Sequence, residues 1–246
     1  MQKGVYNRGA IIMLWVTAAI WGFAFVAQRA GMEYIGPFTF NGIRFLLGSA
    51  SLLPLIFWQK YKQKKPAAKH RNIIAGSLLA GTVLFIGASL QQAGMVYTEA
   101  GKAGFITGFY VVLVPLIGVF IGQHITKLLW TGAIIALAGL YLLTINGPIA
   151  LQKGDILILV SAIFWAAHVQ VINKLVDTHA ALPLAAMQFA VCGGLSLITA
   201  GMLEKITIES ILQAAIPILY GGFFSVGIAY TLQVVAQQHV HPAYAT

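Results

Sequence analysis

A single arginine, Arg44, lies inside a long apolar run and has the most specific chemistry of any side chain there. It stands about seven residues into its run, or about 10 Å along a helix that rises 1.5 Å per residue. A guanidinium keeps its proton and can clamp a carboxylate through two parallel hydrogen bonds. Arg44 therefore indicates a site for an anionic group, or a gate at one end of the run. The structural alternative is a side chain that reaches out of the apolar region or caps a helix end.

Two tryptophans, Trp21 and Trp165, lie near the middle of two other apolar runs and are separated by 144 residues. Tryptophan is common at membrane interfaces and less expected at the centre of a bilayer. Two indoles at related depths predict a cavity with aromatic walls, on which planar or cationic molecules would stack. Plain packing between helices explains the same two residues equally well.

Several uncharged polar side chains lie deep in the apolar runs, where they would contact a small polar molecule. Gln91 and Gln233 lie in two runs of similar sequence, and Tyr230 stands one helical turn before Gln233. Side-chain amides both donate and accept hydrogen bonds, so they suit a zwitterionic solute. Gln188 stands 144 residues after Arg44 and is uncharged, so a charged role would be asymmetric. Hydrogen bonding between neighbouring helices is the competing explanation.

The titratable groups are few. His168 lies deep in an apolar run, and an imidazole titrates near neutral pH, so it could carry a coupling proton; a structural histidine is the more common case. Glu99 and Lys102 are three residues apart at the start of another run. A helix would place them side by side, so we expect a gating or interfacial ion pair. No Asp or Glu lies in the middle of a run, which disfavours a carboxylate proton relay.

No combination of these residues is typical of an enzyme active site or a metal centre. An enzyme acting on lipid would need nucleophiles, acid–base pairs or metal ligands clustered at one depth. The acidic residues instead lie near the ends of the apolar runs, and the histidines lack metal-ligand spacing. We therefore expect no catalytic residues, no metal, no cofactor and no enzymatic activity.

The composition identifies the elements that must position these side chains. Of the 246 residues, 59% are hydrophobic and 9% are charged, and the mean hydropathy is +0.84. A soluble domain needs far more polar surface, so soluble enzymes, disordered chains and disulfide scaffolds are excluded. A bilayer core of about 30 Å needs about 20 apolar residues per helix. Eight complete transmembrane helices are predicted, over residues 10–28, 38–58, 73–96, 103–122, 128–145, 156–175, 182–203 and 211–236.

The net charge of +9 reflects membrane topology and not nucleic-acid binding. Six of the 15 Lys and Arg residues share the short segment 60–71, without a basic surface interleaved with aromatic residues. If the N-terminus is inside, ten bases fall on the inner side and four at the outer ends. The positive-inside rule thus predicts a multi-pass cell-membrane protein in the lipid bilayer, with a cytoplasmic N-terminus and no nucleic-acid partner.

Short matches at offsets of 140 to 144 residues link the two halves of the chain. They predict two repeats: residues 1–147 with five helices, and residues 152–246 with three helices and the start of another. The first unit has an odd number of spans, so the second enters the membrane from the opposite side, as in many secondary transporters. We also expect the chain to stop as its ninth helix begins. The matched pairs include Trp21 with Trp165, Arg44 with Gln188, Phe45 with Phe189, Gly81 with Gly221, and Gln91 with Gln233.

Four motifs carry a resemblance to a known family: Ile20-Trp21-Gly22, Ile43-Arg44-Phe45, the segment 97–106 (YTEAGKAGFI) and Val114-Pro115. With the basic second loop, they resemble the drug/metabolite transporter superfamily, EamA-type. The resemblance implies a ten-helix fold of two five-helix units, from which this chain lacks the ninth and tenth helices. It also implies a bacterial inner membrane. Members of the family move amino acids, other small metabolites, nucleotide sugars or drugs.

We therefore predict a secondary transporter of small metabolites or drug-like compounds that works by alternating access as an exporter. A central cavity between the two units would bind the small-molecule substrate. A non-transporting scaffold or remnant is the alternative, because helices are missing, and a lipid-modifying enzyme has less support. The sequence leaves a homodimer open. The predicted substrate-binding residues are Arg44, Trp21, Gln91, Trp165, His168, Gln188, Tyr230 and Gln233.

Overall fold

The computed structural model describes residues 7–62, 73–123, 125–144 and 152–245, except for the side chains of residues 140, 143 and 144. Helices contain nearly all of these residues, and no strand occurs among them. Seven helical stretches in this described part are long and apolar enough to cross a membrane. The predicted class, an all-α polytopic membrane protein, is therefore confirmed.

The first part of the chain forms helices α1 to α6. α4 and α5 together make one apolar stretch, Ala100–Phe120, interrupted at Phe109. α5 ends just before Gly122, whose φ of +80° suits the residue that follows a helix. The six helices are α1 (Arg8–Gly31), α2 (Pro37–Lys62), α3 (Ile73–Met95), α4 (Ala100–Gly108), α5 (Tyr110–Phe120) and α6 (Lys127–Thr144).

The second part of the chain adds two long helices and one composite stretch. The composite stretch, Ala215–Ala236, contains a π-helical segment of 11 residues between two short α-helices. Pro217 lies in its first turns and removes one backbone donor. The elements are α7 (Lys153–Leu175), α8 (Ala181–Leu203), α9 (Ile208–Gln213), α10 (Ala215–Leu219), the π segment (Tyr220–Tyr230) and α11 (Thr231–Ala236).

The predicted count of eight complete spans differs from the structure at one helix. Residues 128–145 were expected to cross the membrane, and α6 is indeed helical there. Its apolar helix Lys127–Gly139 is shorter than the seven spanning stretches of the described residues. The start of the expected ninth span contains a short 3-10 helix, Pro242–Tyr244.

Glycines set the closest helix crossings, because they let two backbones approach. On α3, Gly94 lies against the backbone of Gly154 on α7, and a Cβ on either glycine would overlap the other's carbonyl oxygen. On α2, Gly42 lies against Leu197 of α8, while Gly193 of α8 lies against Leu46. The second, third, sixth and seventh predicted spans therefore form the packed centre of the bundle.

The remaining stretches pack around that centre. α1 runs along the π segment and α11, α2 also contacts the π segment, and α4 and α5 pack on α7. The carboxylate of Glu204, just after α8, accepts hydrogen bonds from the backbone N–H groups of Phe38 and Thr39 at 2.8 Å each. This contact anchors the start of α2 to the end of α8.

Some of the residues behind the predicted topology lie outside the described part of the chain. They are Lys3, most of the basic segment (Lys64, Lys65, Lys69 and Arg71), and the predicted end of the first repeat at residue 147.

Candidate functional site

A cavity of about 500 Å³ lies between α1, α3, α4, α7, the π segment and α11. Apolar and aromatic side chains dominate its walls, and a few polar groups interrupt them, which is the composition of small-molecule sites. Of the eight predicted substrate-binding residues, seven line this cavity. These seven are Arg44, Trp21, Gln91, Trp165, His168, Tyr230 and Gln233.

Arg44 reaches the cavity from α2 and is 2% exposed. Its Nε donates a hydrogen bond to Asn41 Oδ1 at 2.9 Å, and Asn41 in turn donates to the carbonyl of Ala88 on α3 at 3.0 Å. The guanidinium carbon lies 4.8 Å from the ring centre of Phe45 and 5.4 Å from that of Phe40. Two aromatic faces and one amide thus fix the orientation of the charge.

Arg44 has no carboxylate counter-ion among the described residues. The acidic side chains of the chain lie at helix ends and in connections, and the ion pair that the described residues contain involves a lysine instead. Burying a charge without a partner costs several kcal/mol, so the site favours an anion supplied from outside. This feature separates the cavity from ordinary helix packing.

Aromatic rings surround Tyr230 at the centre of the bundle. The ring centre of Trp21 lies 4.7 Å from that of Tyr230, in an edge-on arrangement. The indole of Trp165 is stacked at 5.9 Å, and Phe45 and Phe189 lie at 6.1 and 5.9 Å. Trp21 and Trp165 line the same cavity, and both rings contact Tyr230.

Side chains of α1 bind the carbonyls of the π segment. Thr17 Oγ1 donates to the carbonyl of Ala229 at 3.1 Å, and Trp21 Nε1 donates to that of Ser225 at 3.4 Å. Sequence analysis named neither Thr17 nor Ser225, because a threonine and a serine in apolar runs also serve ordinary helix packing. A π-helical register, which could have singled them out, is not visible in the sequence.

His168 lines the cavity, and Gln188 lies behind it. The His168 Nε2 atom and Gln188 Oε1 are 2.8 Å apart, and a carbonyl oxygen accepts only. His168 Nε2 is therefore the donor, and in the neutral ring Nδ1 carries no hydrogen. Gln188 is fully buried and does not line the cavity, so it differs from the other predicted site residues. Gln188 therefore lies where it orients the His168 imidazole.

The two predicted glutamines on α3 and α11 use their amide nitrogens for hydrogen bonds to the protein. Gln91 Nε2 donates to Thr107 Oγ1 on α4 at 3.2 Å, and Gln233 Nε2 donates to the carbonyl of Ala245 at 2.8 Å. Both residues are buried and line the cavity. Their amide nitrogens are therefore engaged in contacts within the bundle.

The predicted ion pair between Glu99 and Lys102 has a different partner in the structure. Lys102 Nζ lies 2.6 Å from Asp155 Oδ2 on α7, whereas Glu99 is exposed at the start of α4. Asp155 also accepts a hydrogen bond from Thr98 Oγ1 at 3.0 Å. Lys102 pairs with Asp155 and not with Glu99, because α4 packs against α7 and this packing brings the buried Asp155 carboxylate to the lysine.

The described residues do not assemble a group of three or more His, Cys, Asp or Glu side chains that would hold a metal. The cavity therefore combines one fixed positive charge, aromatic walls and amide groups. Such a set offers donors that suit an anionic group and aromatic faces that suit a planar body.

Comparisons with known proteins agree with this architecture. An uncharacterized transporter of Archaeoglobus fulgidus is 31% identical over 172 residues, which cover 70% of this chain and 51% of that protein. This chain thus spans about half the length of that relative, and 64% of a second Archaeoglobus transporter. The uncharacterized inner membrane transporter YedA of Escherichia coli K12 is 29% identical over 251 residues, covering 97% of this chain and 76% of YedA.

A solved crystal structure has the same fold, with a TM-score of 0.77 at 15% sequence identity, covering 97% of this chain and 82% of that one. Two segments that together make up most of the chain, residues 8–145 and 152–246, each match one family of membrane proteins. The chain belongs to the EamA-like transporter family.

Proposed function

We propose that this protein is a secondary transporter that exports small metabolites or drug-like compounds by alternating access, with the cavity as its binding site. The observation that carries the proposal is the cavity itself. It lies in the middle of an apolar bundle, and polar groups that are costly in hydrocarbon converge on it. A protein that only anchors or packs in the membrane has no need of such a space.

The packing of the helices supports an inverted repeat. If α1, α2 and α3 are equivalent to α7, α8 and the composite stretch, then the pair α3 and α7 corresponds to the composite stretch and α1. Both pairs pack closely, as do the equivalent pairs α3 with α8 and α2 with the π segment. The two separate family matches, one per half, have the same implication.

The direction of the paired helices supports the same plan. Along α3 and α7, Gly76 meets Leu175 and Gly94 meets Ile158, so the two helices are antiparallel. Along α1 and the composite stretch, Thr17 meets Ala229 and Trp21 meets Ser225, which is again antiparallel. Two such halves around one site are the parts that rock against each other in alternating access.

We further propose a cell-membrane location, in the inner membrane of a bacterium, with the N-terminus in the cytoplasm. The name of the related YedA supports the location, and the excess of Lys and Arg in the segment 60–71 supports the orientation.

Blocking the cavity tests the proposed function. Gly104 of α4 lines the cavity, and a Cβ there would meet only Phe25, at 3.7 Å. Gly132 of α6 is a matched control, because a Cβ there meets nothing within 4 Å and it does not line the cavity. The full chain is reconstituted in liposomes and tested for counterflow of labelled small acids, amino acids, amines and amides.

We expect counterflow of at least one solute by the wild type and by Gly132→Trp, and its loss in Gly104→Trp at equal incorporation. Efflux from liposomes in which the protein faces both ways would then give the direction. Equal transport by both variants would contradict the assignment of the cavity, and absence of counterflow for the whole panel would contradict transport by this chain.

A further inference from the structure

We propose that the cavity selects an organic monoanion, whose carboxylate binds Arg44 and whose planar body packs among Trp21, Trp165 and Tyr230. This inference rests on the proposed transport function and adds the class of substrate. It separates carboxylates from the cationic and neutral compounds that an aromatic cavity alone would also accept.

The first argument is charge. Among the described residues, the cavity lining contains Arg44 and no Asp, Glu or Lys. His168 is the other lining residue that can become positive, and it uses Nε2 for Gln188. A ligand with a single negative charge therefore neutralises the site, whereas a cationic ligand would add a second positive charge to a buried one.

The second argument is hydrogen bonding. Arg44 uses Nε for Asn41, and its two terminal nitrogens have no acceptor among the described residues. Trp165 also lines the cavity, and its Nε1 is buried without an acceptor among the described residues. Both groups are donors only, so each of them needs an acceptor that the described residues do not supply. A carboxylate supplies these acceptors and no donor.

The third argument is preorganisation. The Arg44 guanidinium is held between the faces of Phe40 and Phe45, and Asn41 ties it to α3 through the carbonyl of Ala88. A fixed fork loses little conformational entropy when it binds a carboxylate. Side chains that only pack between helices do not need this support.

The fourth argument concerns the rest of the ligand. Phe45, which touches the Arg44 guanidinium, lies 6.1 Å from Tyr230, and Tyr230 lies within 6 Å of Trp21 and Trp165. The aromatic side chains therefore lie directly next to the guanidinium. A ligand with a carboxylate next to a flat apolar ring matches this order, and an added ammonium would have no carboxylate partner in the cavity.

A matched series of four ligands tests the inference on the unaltered protein. The compounds 3-phenylpropanoate, phenylalanine, 3-phenylpropanamide and phenethylamine share one phenyl ring and differ in charge. Binding to the purified full chain in detergent is measured by calorimetry. We expect 3-phenylpropanoate to bind tightest, with the neutral amide at least about tenfold weaker, and phenethylamine weakest.

Two variants locate the effect. Arg44→Gln should weaken 3-phenylpropanoate by about 10- to 100-fold and leave the amide within about twofold, because only the anion uses the charge. Trp165→Phe keeps an aromatic ring but removes the indole N–H donor, so it should weaken binding of 3-phenylpropanoate less than Arg44→Gln does. Arg29→Gln, at a residue that does not line the cavity, is the control and should change neither ligand.

The inference is overturned if phenylalanine, the amide or phenethylamine binds as tightly as 3-phenylpropanoate, or if Arg44→Gln leaves the preference intact. The ligand series needs no variant, so a poorly folded Arg44→Gln protein does not remove the test. These outcomes differ from a failure of the proposed function. Counterflow of an amine or amide that Gly104→Trp blocks would keep the transporter and reject the anion.

Discussion

Two buried charges in this bundle, Arg44 and Asp155, have opposite surroundings. Asp155 lies at the start of α7 and is satisfied by the protein: Lys102, Thr98 and the backbone N–H of Gln152 all donate to it. Arg44 lies in α2 with one hydrogen bond and no carboxylate in the described residues. The first arrangement ties helices together, and the second leaves a charge ready for a ligand.

This contrast distinguishes structural charges from ligand-binding charges in a membrane protein. A charge that the chain itself neutralises contributes to packing, as Glu204 does when it caps the start of α2. A charge that the chain orients but does not neutralise implies a partner from outside. Substitutions at or near each of these charges separate the two cases.

Giving Arg44 an internal counter-ion should abolish the difference. Cys192 of α8 is fully buried and belongs to the same apolar cluster as Phe45, whose ring contacts the Arg44 guanidinium. In Cys192→Asp the new carboxylate competes with the ligand, so we expect the affinity for 3-phenylpropanoate to fall about 100-fold, or about 2.7 kcal/mol. Calorimetry measures the change. Cys192→Asn is the control, because asparagine has nearly the shape of aspartate without its charge. An equal loss of affinity in both variants would contradict the electrostatic explanation.

Removing the charge of Asp155 should affect stability and leave binding intact. In Asp155→Asn the Lys102 ammonium loses its anionic partner and the Gln152 N–H loses a strong acceptor, so we expect a loss of about 1–3 kcal/mol. Denaturant titration in detergent measures the free energy of unfolding. The affinity for 3-phenylpropanoate should stay within about twofold of the wild type, and a larger change would place Asp155 in the binding site.

Replacing Arg44 by lysine tests whether the shape of the guanidinium matters as well as its charge. Arg44→Lys keeps the positive charge and loses the planar pair of donors. We expect 3-phenylpropanoate to bind about tenfold more weakly, a loss of about 1.4 kcal/mol, with selectivity over the amide retained. Unchanged affinity in calorimetry would show that a point charge suffices, and loss of selectivity would argue against Arg44 as the carboxylate partner.

The smallest effect is expected at Glu204. Glu204→Gln keeps an acceptor at the start of α2 and loses the charge, so stability should fall by about 0.3–1 kcal/mol, the usual contribution of an anion at a helix N-terminus. Glu209 in α9 is exposed and suits a control. Both variants are measured by the same denaturant titration. A Glu209→Gln variant as unstable as Glu204→Gln would mean that the cap contact contributes nothing of its own.

Sequence reasoning located much of the candidate site because polar residues in apolar runs are costly and few. Trp21, Trp165, Arg44 and Tyr230 stand out for this reason, and all four line one cavity. Gln188, which the proposed repeat pairs with Arg44, lies outside the cavity wall, behind His168. Sequence position predicts how deep a side chain lies along its helix, but the neighbours of that helix decide whether the side chain faces the cavity.

The ion pair of Lys102 shows the other limit. Sequence proximity favoured Glu99, whereas Lys102 is paired with Asp155, 53 positions further along the chain. Partners on different helices depend on how the helices cross. The close crossing of Gly94 and Gly154, beside Asp155, is a tertiary contact between α3 and α7 that no single helix determines.

The primary structure was sufficient to identify a helical membrane protein, because hydropathy and span length depend only on the order of residues. It also determined which few polar groups would lie deep in the bundle. The packing of the helices decides the rest: among the described residues Arg44 has no carboxylate partner, Lys102 has one, and a π-helical segment borders the cavity. Those properties depend on distances between helices, and the packing of side chains sets these distances only when the bundle assembles.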